Sequence, residues 1–415
     1  MVDSNGNNLV FLLCTPRSGS SLATVMLQNH SKMFATQEMW FLMSLYDLRS
    51  PQRRAYGGTG ILSQFYNGIL PQDTFEEASR MFALQAYNGL LQSSAGAELV
   101  IDKSPRYYYL LEFLDALFPQ SRRIWLIRNP FAVLASNKKV NKQRGGGFDL
   151  TESLGHPDFD MKIADLTVGL FRYYHYFAEN NPYAHRLHYE KLVADPRAQL
   201  TEVCRFLGTA YEEGMETYGN FMNSAKSDLY FSMGVGDPFV ANHTEPNQES
   251  LHIWKDVLDK PEIELYGRTL GARIFRELGY AEELEEAEKL TGVRFENEPD
   301  AELIALRTKQ LAEATGCRWE EGYALKSAAA PGNGRAPAAV QAAASDGQHA
   351  EALRLQMTVR ALEKRLELGA MEQRRLRAQL DATNGKIDRL KSLVPFGSRL
   401  SSLASALLSG DGRKK

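Results

Sequence analysis

Apolar residues follow two alternating rhythms along the first two hundred positions: short unbroken runs, and longer stretches with helical spacing. The run Leu9, Val10, Phe11, Leu12, Leu13, Cys14 has strand length and is broken by Pro16 and Gly19. Leu22, Val25, Met26 and Leu27 then recur at helical spacing, so strand, loop and helix are predicted in that order. Residues 98–102, 123–127 and 186–189 predict three further buried strands. Between them lie helical stripes, Leu110, Leu111, Phe113, Leu114, Leu117 and Phe118 before the 123–127 run and Phe131, Val133, Leu134 and Val140 after it. Residues 73–91 and 161–178 also read as helices, and their aromatic stripes are read as core. Alternating strand and helix predicts an α/β fold, a three-layer parallel sheet flanked by helices, with the site at the C-terminal ends of the strands.

The pattern changes near Lys326. Residues 327–350 are mostly Ala, Gly, Pro, Ser and Gln, the composition of a flexible linker, so the α/β domain is expected over 8–326. Beyond it Leu355, Val359, Leu362, Leu366, Leu376, Leu380, Ile387, Leu390 and Val394 share one alternating 4,3 register, interrupted at Gly369, Gln373 and Thr383. This predicts a C-terminal coiled-coil helix over 351–394 of about five to six heptads. A stripe of that length needs a second strand, and a homo-oligomer is the simplest partner; a single solvated charged helix is the alternative. Residues 395–415 form an amphipathic basic tail, with Phe396, Leu400, Leu403, Leu407 and Leu408 before Arg413, Lys414 and Lys415. Such a tail suits peripheral contact with an anionic membrane face, and equally a frayed end.

Composition narrows the function classes. The 415 residues, 44% hydrophobic, suffice for one large core plus an appendage, and a net charge of −3 leaves no nucleic-acid footprint. The three cysteines (Cys14, Cys204, Cys317) are scattered and without a CxxC, which argues against a disulfide framework and against a zinc site. A reducing, cytoplasmic setting is expected, since no run approaches a membrane span and the polar residues 1–8 do not read as a signal peptide.

The candidate chemistry starts at Thr15, Pro16, Arg17, Ser18, Gly19, Ser20, Ser21 and Leu22, a P-loop-like turn opening a helix. Backbone N–H groups and the dipole at such a helix start favour a phosphate, and Arg17 with the three serines adds donors. A Walker A loop would place lysine after its last glycine, whereas Ser20 follows Gly19 here, which disfavours nucleoside triphosphates. By itself the segment also fits a polar strand-to-helix turn with a serine N-cap. A second cluster, Arg128, Asn129, Pro130 and then Ser136, sits where the 123–127 strand yields to a helix. Two anion sites at the ends of two strands suit a nucleotide with phosphate at both ends of its ribose.

These elements resemble the sulfotransferases that use 3′-phosphoadenosine 5′-phosphosulfate (PAPS). Residues 15–22 resemble their 5′-phosphosulfate loop, and Arg128 with Ser136 their 3′-phosphate motif. Asp102, Lys103, Ser104, Pro105, Arg106 resembles an element of the bacterial and tyrosylprotein-type branch. Tyr189, Glu190, Lys191, Leu192, followed by Asp195, Pro196 and by Phe206, Leu207, Gly208, is similar to a further family segment. Trp254 and Leu278, Gly279, Tyr280 fit the domain end, so the similarity covers about residues 8–282. The Lys-Thr-His base of the cytosolic enzymes is replaced by Lys103, Ser104, Pro105. Tyrosylprotein-type members carry a glutamate sixteen residues beyond the loop leucine, and that count from Leu22 reaches Glu38. The resemblance implies Glu38 as base, Lys103 on the leaving phosphate, Arg17 and loop amides on the 5′ end, PAPS as co-substrate, and no metal. Its neighbours Met39, Trp40 and Phe41 lead one to expect a desolvated Glu38 with a raised pKa; an ion-paired or capping carboxylate is the other reading. The cytosolic Arg-Lys-Gly loop is missing, and Ser232 with residues 233–238 stands in its place as a nucleotide contact. His243 is read as a surface or core histidine.

The acceptor is read less directly. The segment 141–159, with Gly145, Gly146 and Gly147, is expected to be a mobile acceptor lid. Tyr46, Tyr56, Tyr107, Tyr108 and Tyr109 suit sugar or phenol stacking, or the core. A coiled coil with a basic tail suggests recruitment to where glycans or lipid-linked glycans are made. The first reading is therefore sulfation of a carbohydrate or glycolipid, and the second of a small phenol, alcohol or protein tyrosine. A P-loop-type small-molecule kinase and an inactive scaffold acting through its coiled coil are the rivals.

Overall fold

The computed structural model describes residues 1–50, 57–94, 96–143, 145–217, 225–233, 248, 250–326 and 347–393. Strand β1 (Leu9–Leu13) leads through a tight loop into α1 (Ser20–Gln28), and then come β2 (Met33–Ala35), α2 (Phe41–Tyr46) and α3 (Gln72–Gln92). There follow β3 (Leu99–Lys103), α4 (Leu111–Leu117), β4 (Arg122–Ile127), α5 (Pro130–Gln143) and α6 (Leu150–Gly155). Next are α7 (Met161–Leu166), α8 (Val168–Tyr176), β5 (Ala184–His188), α9 (Pro196–Leu207), α10 (Ala225–Ser232) and α11 (Ala301–Thr315). The five strands form one sheet in the order β2-β3-β1-β4-β5, every pairing parallel.

Parallel pairing follows from burial on both faces. In β1, Leu9, Phe11 and Leu13 enter one core while Val10 and Leu12, with Cys14 beyond the strand, enter the other. Strand β4 alternates likewise, Trp125 and Ile127 against Ile124 and Leu126. A strand covered on both faces reads as an unbroken apolar run, and each buried Leu, Ile or Phe contributes about 1.5–3 kcal/mol. Helices α3, α4, α5, α7 and α8 cover the first face, and α1 and α9 the second.

The structure departs from the predicted elements in three places. Strand β2 escapes the hydrophobic pattern because three residues are too few to set a period. The helix expected over 161–178 breaks at Thr167, whose φ of −118° and ψ of −84° are not helical. The domain also starts before residue 8, for Val2 is buried and its N–H donates to Asn88 Oδ1 at 2.6 Å.

The chain divides into two units, Met1–Met357 and Thr358–Lys415. Helix α12 spans Gly347–Leu393, beginning inside the stretch assigned to the linker. Leu355, Val359, Leu362, Leu366, Leu376, Leu380 and Ile387 are all exposed on it. Most of the linker (327–346) and the basic tail (395–415), with Val394, lie outside the described residues. Among the described residues no helix is long and apolar enough to cross a membrane.

Candidate active site

Sheet order decides which segments meet. Along the C-terminal edge, residues 36–40 follow β2, 103–106 follow β3, the 14–19 loop follows β1, Arg128 follows β4 and Tyr189 follows β5. Leu12 of β1 stands in register with Lys103 on one side and Ile124 on the other.

The loop after β1 is built from left-handed backbone at Arg17 (φ 73°) and Gly19 (φ 93°). Thr15 and Ser18 bury their hydroxyls against each other at 3.1 Å. Helix α1 has no side-chain cap and no acidic residue in its first turn, so its leading N–H groups and positive dipole end remain available to an anion. Gly19 is required twice over: its φ is positive, and a Cβ there would overlap the Tyr189 ring. Within the loop Pro16 has no N–H to offer, and the Leu22 side chain packs on the core beneath α1.

Arg17 Nε donates to Ser136 Oγ at 3.2 Å, joining the β1 loop to α5. Arg128 lies beside them, its Nη1 donating to the Arg17 carbonyl and its Nη2 to that of Ser250, both at 2.9 Å. Its guanidinium sits 4.4 Å from the Tyr189 ring centroid, and the Tyr189 hydroxyl is 2.7 Å from Ser250 Oγ. Burial lowers the Arg128 pKa, opposed by Tyr189 and Glu190. Glu190 itself is occupied by the Asn129 N–H (2.9 Å) and the Tyr280 hydroxyl (2.7 Å). Among the described residues no carboxylate pairs with Arg128, and its buried Nε lacks a hydrogen-bond partner.

On the other flank of the loop, Lys103 Nζ lies 3.2 Å from Glu38 Oε1, the lysine fully buried and the carboxylate 28% exposed. Thr36 fixes the geometry by accepting the Lys103 N–H at 3.2 Å on its hydroxyl. Glu38 is thus ion-paired and partly open to solvent, where an apolar setting was expected. Arg106, three residues on, grips the buried Asp165 with Nε at 3.0 Å and Nη2 at 2.8 Å, and its guanidinium lies 5.5 Å from the Trp40 ring centroid. Burial raises the Asp165 pKa, and Arg106 and Tyr108 oppose that shift.

Of the tyrosines suited either to acceptor stacking or to the core, the described ones pack with the core. Tyr107 and Tyr87 donate to buried Asp102 at 3.0 and 2.7 Å, Tyr108 donates to Asp165 at 2.9 Å, and Tyr109 donates to Met161 Sδ at 2.9 Å. Tyr46 packs on Phe113, and Tyr56 lies outside the described residues. Ser232 donates its hydroxyl to Leu229 in its own helix at 2.8 Å, directed at α10 and not at the loop. Residues 234–238 and His243 lie outside the described residues. The supposed lid is largely packed: Phe148, Leu150 and Leu154 are buried, and Arg307 of α11 donates to the carbonyls of Leu154 and His156. Among the described residues no group of three or more His, Cys, Asp or Glu side chains is placed to hold a metal ion.

Residues 10–213, which contain the loop and both flanks, match the sulfotransferase family. Over these residues the chain carries a sulfotransferase-family domain. It is similar to the nodulation protein NoeE of Sinorhizobium fredii, 26% identical over 294 residues that cover 67% of each chain. It is similar also to an uncharacterized protein of Aquifex aeolicus, 25% identical over 62% of this chain and 34% of that one. Among solved structures, the sulfotransferase domain of the Synechococcus PCC 7002 olefin synthase aligns with a TM-score of 0.42 at 24% identity, covering 60% of this chain and 88% of that one. Within this sulfotransferase domain, sequence reasoning gave no role to Trp40 or Asp165 and weighed Thr36 only as a polar group that is not a base. Asp165 carried no signal, lying in a stripe (Ile163, Leu166, Leu170) that reads as core, while Trp40 was visible only as a bulky neighbour of Glu38.

Proposed function

We propose that the chain transfers the sulfuryl group of PAPS to a hydroxyl of a carbohydrate or glycolipid, in line, with Glu38 as base. The observation that carries this reading is the meeting of Arg17 and Ser136 at 3.2 Å beside an Arg128 that no described carboxylate neutralises. That arrangement supplies a second anion site next to the lysine-free loop, which suits phosphates at both ends of a ribose. The unpartnered Nε of Arg128 and the open first turn of α1 both fit such a ligand.

The donor supplies a sulfuryl group already activated on phosphate. In this reading the loop amides, Ser18, Ser20, Ser21 and Arg17 hold its 5′ end, and Arg128 with Ser136 holds its 3′ phosphate. As the acceptor oxygen bonds to sulfur, the bond from sulfur to the bridging oxygen breaks, and the acceptor proton passes to the Glu38 carboxylate. Lys103 offsets the charge that gathers on the departing oxygen. Catalysis is then positioning plus cationic stabilisation.

The exposed stripe on α12 supports pairing with a second copy of this chain through residues 351–394, since a 4,3 register is matched by an identical strand. Cys14, Cys204 and Cys317 are free and buried, which supports a cytoplasmic setting.

Calorimetry with 3′,5′-adenosine bisphosphate (PAP), followed by transfer of radiolabelled sulfate from PAPS into cell extract and isolation of the labelled product, tests the proposal. Label in a saccharide is expected. Silence towards PAP favours the scaffold, turnover of magnesium ATP the kinase, and label in phenol or tyrosine the second acceptor class.

A further inference from the structure

Beyond the hydrogen bond from the Lys103 N–H to the Thr36 hydroxyl, the segments after β2 and β3 are tied together by two side-chain pairs. Lys103 pairs with Glu38 at 3.2 Å, and three residues further on the Arg106 guanidinium lies 5.5 Å from the Trp40 ring centroid. Arg106 cannot drift from that position. Its Nε and Nη2 donate to Asp165, which is buried and also accepts the Tyr108 hydroxyl at 2.9 Å. Its Nη1 makes no hydrogen bond among the described residues.

Trp40 departs from the other tryptophans. It is 39% exposed, whereas Trp125 and Trp254 are buried and Trp319 donates its indole N–H to the Tyr109 carbonyl at 2.8 Å. Met39 and Phe41 on either side pack against the core, so Trp40 alone of the three is turned outward. Its backbone is left-handed, φ 54° and ψ 10°, a conformation that disfavours a bulky side chain and is held by the start of α2, where the Met43 N–H donates to the Trp40 carbonyl at 3.0 Å. An outward aromatic ring at a backbone position that disfavours it, two residues from Glu38, is a feature the core does not need.

We propose that Trp40 and Arg106 form the acceptor subsite, one side of the indole bearing the arginine and the other stacking on the C–H face of a pyranose ring whose hydroxyl is presented to Glu38. This rests on the sulfotransferase reading of the site. A pyranose offers an apolar face rimmed by hydroxyls, and an exposed indole beside a fixed guanidinium with a free N–H complements both. A phenol would be matched better by an enclosed aromatic slot, and Tyr107, Tyr108 and Tyr109, which would line one, are buried in the core. Glu38 and Trp40 lie no more than about 7 Å apart along the chain, a span that one sugar ring bridges.

The test uses the full chain loaded with PAP and titrated calorimetrically with cellopentaose, xylopentaose, mannopentaose, chitopentaose and p-nitrophenol. At least one oligosaccharide is expected to bind, with Trp40→Phe retaining affinity within about threefold and Trp40→Asn losing about tenfold or more. Asparagine tolerates left-handed backbone, so Trp40→Asn is expected to raise the melting temperature while PAP affinity stays unchanged, a combination that a purely structural tryptophan would not give. Absence of oligosaccharide binding by the PAP-loaded wild type, unchanged binding by Trp40→Asn, or binding of p-nitrophenol alone overturns the subsite. Failure of the wild type to bind PAP overturns the donor reading instead.

Discussion

Lys103 Nζ reaches Glu38 Oε1 at 3.2 Å although 65 positions separate the two residues. The ammonium is fully buried and the carboxylate only partly, so the two ends of the pair tolerate removal differently. Glu38→Gln is expected to fold as the wild type and to lose about two or more orders of magnitude in kcat, since it keeps a hydrogen-bond acceptor for Lys103 but not a base. Glu38→Ala leaves a buried charge without its partner and should cost in addition about 1–3 kcal/mol in urea denaturation. Lys103→Ala should lose activity to a similar degree with little loss of stability. Near-wild-type transfer by Glu38→Gln would remove the base assignment.

Arg128 and Ser136 are expected to act on donor affinity. Arg128→Ala should weaken PAP binding by about tenfold to a hundredfold, the value of a charge-assisted contact, and Ser136→Ala by a smaller factor. Isothermal titration at two salt concentrations separates the charge from the packing contribution. Equal affinity in Arg128→Ala would place the second phosphate elsewhere.

Gly19→Ala meets two obstacles at once, the positive φ and the Tyr189 ring. A loss of about 1–3 kcal/mol of stability is expected, together with weaker PAP binding. The double change Gly19→Ala with Tyr189→Ala should restore only the part due to the collision. Thermal unfolding of Gly19→Ala, Tyr189→Ala and the double variant decides it, and a stable Gly19→Ala would mean that the loop can relax.

His188, at the end of β5, has its pKa pushed down to about 4 by burial and by Lys191 and Arg186. The unfolded chain therefore binds more protons than the folded one between pH 4 and the ordinary value of 6.5. Stability from this group is constant above pH 6.5 and declines as pH falls through that window. His188→Gln should flatten that part of the urea-denaturation profile, and an identical profile would assign the acid sensitivity to other groups.

Leu366 and Leu380 are 73% and 60% exposed on α12. Replacing both by Asp should lower the mass measured by light scattering while leaving sulfate transfer intact, because charges on an a/d seam oppose pairing. An unchanged mass would exclude that seam as the oligomer contact.

Much of the scaffold was legible because burial on both faces leaves strands as unbroken apolar runs. The prediction over 9–14 differs from β1 by one residue, and that over 123–127 from β4 likewise. Strand β5, with only Leu187 buried, was placed within two residues of its start and one of its end. The candidate site was legible where polar residues broke an apolar pattern, as at Arg17 and Ser18, and illegible where they hid in one, as at Asp165. The tyrosines at 107–109 show the converse, because a hydroxyl does not announce whether a buried carboxylate will claim it.

The sequence by itself determined the local units: a strand, a lysine-free loop and a helix start, each set by residues within a few positions of one another. Only the tertiary structure decided that Glu38, Lys103, the loop, Arg128 and Tyr189 stand in that spatial order, since strand order β2-β3-β1-β4-β5 is not chain order. The physical reason lies in the crossovers. A parallel strand must be reached by a helix that passes over the sheet, so residues far apart in sequence arrive side by side at one edge, and no local pattern records which neighbours they will meet.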